Sequence, residues 1–434
     1  MAGVPVASIQ FLKGRDSLSD IQNTLFVGID VAKDSNRVHA MDFDRHRLAA
    51  FSAPNDQDGA SRLETQILST LRSADLSRCT IVIESTGIYS AHIATYLSAS
   101  AALSAIDTRV YLINPKITKN YRESFSDMDK TDPADAYLLA DLARVGRTDK
   151  LFPFRGSQKL ALQRLTRHRM HVSDLITAEK NYALNNIYLK FSAFDAIQNG
   201  KPVFSDTFAV SAMSVLTEFR TTDEIVETPL EDLAAFLIRS SKNRLDDPLH
   251  TADLLKKAAK ASFRLDQAAY DPINIALASS LTCIDCFKNE LKDVNRAIAN
   301  QVKGFSDSQY QSLLSIPGIG PVYASGILAE IGDISQFRDE AALAKYAGLT
   351  WRKRQSGRFN AEDTYMTRTG NVFLRYYLCE AANSVHCHLD EFARYYKTKY
   401  NEVSTHQHKR ALALTARKLV RLVHGLMSSG RLYQ

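Results

Sequence analysis

The chain has 434 residues, with 54 Lys and Arg against 48 Asp and Glu, a net +6, 45% hydrophobic residues, 18 Gly, 11 Pro and five Cys. These figures exclude a disordered, collagen-like or low-complexity chain and leave room for two to four domains with real cores. They also exclude a small disulfide-stapled module, and no stretch approaches the roughly 18 uncharged apolar residues of a membrane span.

Residues 1–22 are expected to be a flexible N-terminus. Residues 1–20 carry Lys13, Arg15, Asp16 and Asp20 without a sustained apolar run, so they do not read as a secretion signal, and a reducing, cytoplasmic setting is expected. The next stretch, 23–152, alternates short strands and helices. Thr24–Ala32 is apolar and β-branched, Arg37–Phe43 alternates at period two, and Arg47–Ser52 follows a charged turn, which predicts an antiparallel meander. A helix over Gln57–Leu71, a strand over Thr80–Glu84, a helix over Ser90–Ser100, a strand over Arg109–Ile113 and helices over Pro115–Arg144 complete the order β β β α β α β α. That order predicts an α/β domain of ribonuclease-H-like type, a mixed sheet flanked by helices.

From Gln158 the pattern turns all-α. No Gly or Pro occurs between Ser157 and Asn199, which suits an extended helix or coiled-coil arm; further helices, interrupted at Pro202, Pro229, Pro248 and Pro272, carry the region 153–306. A mainly helical C-terminal module, 307–434, begins with a Gly/Pro hairpin between helical segments. Its last 90 residues, 345–434, hold 16 Lys and Arg against six Asp and Glu, a net +10, which leaves −4 for residues 1–344. Such a basic tail attracts a polyanion by counterion release, so nucleic acid is the leading partner, against the plainer reading of a solvated basic face.

Three constellations carry chemistry. Asp30 sits inside an apolar strand, where an isolated carboxylate is prohibitive without a cation or hydrogen bonds. Glu84 ends another apolar strand, and in a ribonuclease-H-like sheet the first and fourth strands are neighbours. Asp132 and Asp135 are three apart, with Pro133 suited to a first helical turn, so both carboxylates are expected on one helix face; Asp127 and Asp129 compete for that place. Four hard oxygen donors without His or Cys suit one or two Mg²⁺ ions acting on a phosphodiester. The second constellation is Arg352-Lys-Arg-Gln-Ser356-Gly-Arg358, either an exposed basic turn or a serine nucleophile toward phosphorus, with Arg354 and Arg358 on the phosphate oxygens. The third, Ser315–Val322 with Gly318 and Gly320, resembles a helix-hairpin-helix turn that offers backbone amides to a phosphate, or equally a structural αα-turn. Arg352, Lys353, Arg354, Arg358, Arg368, Gly318 and Gly320 form the expected nucleic-acid-binding set. Cys283 and Cys286 lack a second pair for zinc, His386 and His388 diverge on a helix, and Tyr395, Tyr396 and Tyr400 suit packing as well as base contact.

Val27-Gly-Ile-Asp30-Val-Ala-Lys33, Ile83-Glu84-Ser-Thr-Gly87, Lys130-Thr-Asp132-Pro-Ala-Asp135-Ala136, Ile316-Pro-Gly-Ile-Gly-Pro321, and Ala347-Gly-Leu-Thr350 followed by Gln355-Ser356-Gly357 resemble, in order, the DEDD transposases of the IS110 group. These are relatives of the Piv and MooV DNA invertases. The resemblance spans about residues 24–425. It implies a RuvC-like N-terminal domain, a coiled-coil arm and a C-terminal transposase domain. It further implies a metal tetrad of Asp30, Glu84, Asp132 and Asp135, and a transient phosphoserine at Ser356. Family members act on double-stranded DNA as dimers or tetramers, and some use an element-encoded bridge RNA that pairs with donor and target DNA. The chain departs from compact members in a longer central region, Ala193–Gln301, and in Trp351-Arg-Lys-Arg354, which replaces a Pro-containing approach to the serine. Rival readings are a hydrolytic RuvC-like nuclease or junction resolvase, an actin-like sugar kinase and a non-enzymatic DNA-binding protein.

Overall fold

In the computed structural model the chain is described at residues 18–85, 87–125, 131–148, 153–154, 157–195, 197–198, 201–303, 308–351, 355–356, 359–360, 366–367 and 369–434. At residues 18, 116, 132, 157–159, 197–198, 201, 355–356 and 359–360 only the backbone is described. The chain forms two compact units, one of residues 1–161, 311–318 and 328–434, the other of residues 162–310 and 319–327.

The first unit opens with a short helix α1 (Leu18–Gln22), then β1 (Thr24–Val31), β2 (Ser35–Met41), β3 (Arg47–Pro54), α2 (Gln57–Ser73), β4 (Arg78–Glu84), α3 (Ser90–Ala99), α4 (Ala101–Ser104), β5 (Asp107–Ile113), α5 (Pro115–Arg122) and α6 (Asp132–Arg144). The five strands make one sheet in the order β3-β2-β1-β4-β5, with the first three antiparallel and β1, β4 and β5 parallel. This is the mixed sheet that the strand spacing predicts. β1 lies in the middle and is buried along seven of its eight residues, the partial exception being Asp30, as expected for a strand covered on both faces. On one face Leu25, Val27, Ile29, Ile81 and Ile83 pack with Leu63 and Ile67 of α2 and Ile93 and Leu97 of α3. On the other, Phe26, Val82, Tyr111 and Ile113 pack with Leu139, Ala140, Leu142 and Ala143 of α6.

The second unit holds most of α7 (Ser157–Lys190), the two-residue strands β6 (Ile197–Gln198) and β7 (Lys201–Pro202), then α8 (Val210–Glu218), α9 (Thr222–Glu227), α10 (Leu230–Ser241), α11 (Pro248–Ala261) and α12 (Gln267–Lys303). Its core gathers Ile187, Phe191, Phe194, Phe204, Val215, Leu233, Leu237, Leu255, Leu281 and Ile284. α7 is 34 residues long and stops at Lys190, short of the Asn199 that the lack of Gly and Pro allowed, because Phe191 and Phe194 turn into that core. Pro229 and Pro248 sit at helix starts as expected, but Pro272 lies inside α12 without ending it. Pro272 is the sixth residue of α12, so its ring removes one rung, to Ala268 O, from the helical ladder near its start.

Further along are α13 (Ser308–Leu314), α14 (Pro321–Ile331), α15 (Glu340–Ala347), two-residue strands β8 (Gln355–Ser356) and β9 (Phe359–Asn360), α16 (Val372–His388), α17 (Asp390–Asn401) and α18 (Gln407–Ser429). Helices α16, α17 and α18 pack on one another around Tyr377, Leu378, Ala381, Leu419, Val420 and Val423, all fully buried. Among the described residues no helix is long and apolar enough to cross a membrane.

Candidate active site

Strand register brings two of the expected acids together. β1 and β4 pair in parallel with Ile29 opposite Ile83, so the register carried one residue further sets Asp30 beside Glu84 at the carboxyl ends of both strands. Side chains alternate along a strand. Asp30 therefore shares the face of Gly28 and Phe26, and Glu84 that of Val82, which is the α6 face. Gly28 permits the close approach of that helix: a Cβ there would lie 2.1 Å from Ala136 O and 2.5 Å from Ala140 N.

The direction of α6 follows from its far end. Arg144 Nη1 donates to Phe43 O at 3.3 Å, and Phe43 lies just past Met41, the register partner of Phe26 near the start of β1. The helix thus runs opposite to β1, and its first turn, with Asp132 and Asp135, lies toward the Asp30 end. Pro133 occupies the first turn as expected. The backbone thus gathers the positions of Asp30, Glu84, Asp132 and Asp135 at one end of the sheet; the side chain of Asp132 is outside the described residues, as are Asp127 and Asp129.

Two cations unmarked in the sequence reading stand at this end. Arg37 of β2 is the register partner of Asp30. Arg122, the last residue of α5, forms an ion pair with Asp135, both side chains more than four-fifths buried, at 19% and 15% exposure. The same turn is pinned by its neighbour: Tyr121 donates to Asp141 Oδ2 at 2.6 Å, and fully buried Asp141 also accepts from Arg144 Nε at 2.8 Å. Burial, with the bond to Asp141, raises the Tyr121 phenol far above its ordinary range and keeps it a donor.

Oxygen donors alone, one of them already balanced by a buried cation, are the ligand chemistry of a hard divalent ion. Among the described residues, no group of three His, Cys, Asp or Glu side chains is placed to hold a metal ion. By residue type alone the acids Asp30, Glu84, Asp132 and Asp135 could serve a hard divalent ion.

Ser356 belongs to a different stretch of chain. It ends β8 and pairs in register with Phe359 of β9. Arg352, Lys353, Arg354, Arg358 and Arg368 lie outside the described residues, as does the side chain of Ser356. Both feet of this segment are tied. Trp351 bridges Met366, Thr367 N donates to Thr350 O at 2.8 Å, and the two threonine hydroxyls meet at 3.0 Å. Asn371 then locks the exit. Its Oδ1 caps α16 by accepting from the amides of Phe373 and Leu374, its own amide donates to Tyr346 O at 2.7 Å, and its Nδ2 donates to Glu330 Oε2 at 2.7 Å. Glu330 is fully buried. Sequence reasoning passed over both, although a lone acid in the apolar run Gly326-Ile-Leu-Ala-Glu330-Ile was a usable signal.

The two glycines of the Gly/Pro turn differ. Gly318 has φ +94° and would drive a Cβ to 2.9 Å from Val385 Cα and N, so packing and backbone conformation account for it. Nothing lies within 4 Å of a Cβ on Gly320, so no packing constraint demands a glycine there. The C-terminal tyrosines are used in packing. Tyr396 stacks on His386 at 4.2 Å and hydrogen-bonds His408 Nδ1 at 2.7 Å, while Lys418 lies 4.9 Å from the centres of both Phe392 and Tyr395. Burial, and then the neighbouring His408, lower the pKa of His386.

Residues 27–189 match the family model of DEDD transposases of the IS110 group, and residues 310–397 match that of the transposase IS116/IS110/IS902 family. The chain is 26% identical over 429 residues to the uncharacterised 44.8 kDa protein of insertion element IS116 from Streptomyces clavuligerus, covering 96% of this chain and 98% of the relative. It is 27% identical over 399 residues to the uncharacterised 42 kDa protein of insertion element IS900 from Mycobacterium paratuberculosis, covering 91% and 94%. A solved structure, T. thermophilus RuvC in complex with a Holliday junction substrate, aligns at 14% identity and a TM-score of 0.23, over 30% of this chain and 99% of that one.

Proposed function

The chain belongs to the IS110/IS116 family of insertion-element transposases, and from that premise we propose that it cuts and rejoins DNA strands through a serine-linked intermediate served by an acidic metal site. The observation that carries this reading is the parallel register of β1 and β4, which sets Asp30 beside Glu84 under the first turn of the helix that bears Asp132 and Asp135.

In the proposed reaction Ser356 Oγ attacks a backbone phosphorus. A P–O bond to one deoxyribose oxygen breaks as the bond to serine forms, the serine proton passes to a carboxylate or solvent, and the departing oxygen takes up a proton. The hydroxyl of another strand then attacks the phosphoserine, and Ser356 leaves with its proton restored. One phosphodiester is lost and one regained, so no external energy is needed. Mg²⁺, one or two ions per site, supplies charge stabilisation when bound by the four acids. Arg352, Lys353, Arg354, Arg358 and Arg368 pair backbone phosphates, and the amides around Gly318 and Gly320 contact another. The domains expected at 23–152, 153–306 and 307–434 then divide the work among metal site, coiled-coil assembly arm and serine module. A dimer or tetramer, with a bridge RNA setting the sequence, completes the proposal.

The test is strand exchange on a synthetic element end. Ser356→Ala is expected to abolish both exchange and the covalent protein–DNA species, with folding retained. Asp30→Asn is expected to lower cleavage by about a thousandfold or more. Exchange that survives Ser356→Ala removes the covalent step and leaves a hydrolytic nuclease; RNA recovered from the active complex, or its absence, decides the guide.

A further inference from the structure

Arg122 of α5 is paired with an acid at the acidic end of the sheet, and nothing in the proposed reaction uses it. It pairs with Asp135 through one terminal nitrogen, Nη2, while its Nε is buried and has no acceptor among the described residues. A guanidinium offers Nε and Nη as a parallel fork matched to two oxygens of a carboxylate or phosphate. Here half of that fork is unsatisfied, and a buried donor without an acceptor costs about 1–3 kcal/mol. The side chain is nevertheless kept in place, because Tyr121 anchors the same helical turn to buried Asp141.

We infer that Arg122 is a resident counter-cation that a divalent ion must displace from Asp135, and that the freed guanidinium then takes a DNA phosphate on Nε and Nη2. The inference rests on Asp135 being a metal ligand. The guanidinium engages Oδ1 of Asp135 and competes with an ion for that carboxylate, and a full positive charge beside the site opposes the arriving ion. Before the ion arrives, the same charge relieves the repulsion among the gathered acids. Once released, Arg122 remains tethered by Tyr121 within reach of the strand being processed, and a phosphate satisfies the fork that Asp135 leaves half used. Metal loading and grip on the DNA backbone are thereby coupled through one side chain.

The experiment uses the full chain and Mn²⁺ alone, followed by the spectroscopic signal of the free ion. Arg122→Gln is expected to bind Mn²⁺ roughly tenfold more tightly than wild type. It is also expected to melt at a lower temperature without metal and to gain more on Mn²⁺ addition. Arg122→Lys keeps the charge and is expected to retain wild-type Mn²⁺ affinity. Asp135→Asn is the control for the underlying reading. If Asp135→Asn weakens Mn²⁺ binding while Arg122→Gln leaves it unchanged or weaker, the displacement idea alone is overturned. If Asp135→Asn has no effect, the metal reading falls and takes this inference with it. The phosphate half is read separately, from the salt dependence of binding to a DNA duplex in Ca²⁺: loss of Arg122 is expected to reduce the slope by about one, and an unchanged slope refutes that half.

Discussion

The sheet region, residues 24–144, and the helical unit, residues 162–310, both bury charge, in opposite ways. At the carboxyl end of the parallel strands charges of both signs converge: Asp30 beside Glu84 by register and Asp135 with Arg122, while further along α6 Asp141 is held by Arg144 and Tyr121. In the helical unit Lys190 is 3% exposed, and its Nζ donates to the backbone carbonyl of Leu216 at 2.7 Å. Burial lowers its pKa to about 8, with Glu224 pulling weakly the other way. A cluster of mutually balanced charges at strand ends can accept a new ion or phosphate by exchanging partners. A single ammonium tied to a main-chain oxygen has nothing to exchange, and its chemistry ends with the fold.

The comparison can be broken most forcefully through the cores. Phe191, 1% exposed and edge-to-face with Phe194 at 5.1 Å, anchors the helical unit. Phe191→Ala is expected to cost about 3–5 kcal/mol, seen as a lowered denaturant midpoint for one of two transitions. A single merged transition shifting as a whole would show that the two cores do not unfold separately. A smaller effect is expected from Gly28→Val, which must push α6 off β1. Overpacking of this kind costs about 1–3 kcal/mol. Because the displaced helix carries Asp135, Mn²⁺ affinity should fall together with stability, whereas retained affinity would detach the acids from the β1–α6 contact. The smallest effect concerns Lys190. Its folded pKa of about 8 lies below the 10.5 of a free lysine, so between those values the unfolded chain holds more protons than the folded one. Stability of the helical unit therefore rises with pH across that window and is insensitive to this group below it. In Lys190→Met, chemical denaturation at pH 8 and pH 10 should lack that rise; an identical rise would assign it to other groups.

Much of the sheet was legible because the signals there are local. An apolar β-branched run interrupted by Asp30, a second ended by Glu84, and the pair Asp132 and Asp135 around Pro133 each declare themselves within a few residues. Arg122 stands in the polar stretch Lys119-Asn-Tyr-Arg-Glu-Ser124, which reads as an ordinary solvated helix end; its partner is 13 residues away and reached only through the packing of α5 on α6. Asn371 reads as a helix cap, and its second role, gripping buried Glu330 across 41 residues, depends on α14 meeting the start of α16. The early end of α7 was likewise set by the burial of Phe191 and Phe194.

The amino-acid order by itself determined the alternation of strands and helices, the acids available for metal chemistry, the basic C-terminal tail and the family, because these depend on periodicity, residue type and motif over short spans. The sequence led to the expectation that Asp30 and Glu84 meet, but only the tertiary structure decided their register, that α6 brings its acidic first turn to the same end, and that Arg122 closes on Asp135. Those facts come from strand register, the clearance at Gly28 and ion pairing between helices, which exist only once distant segments have packed.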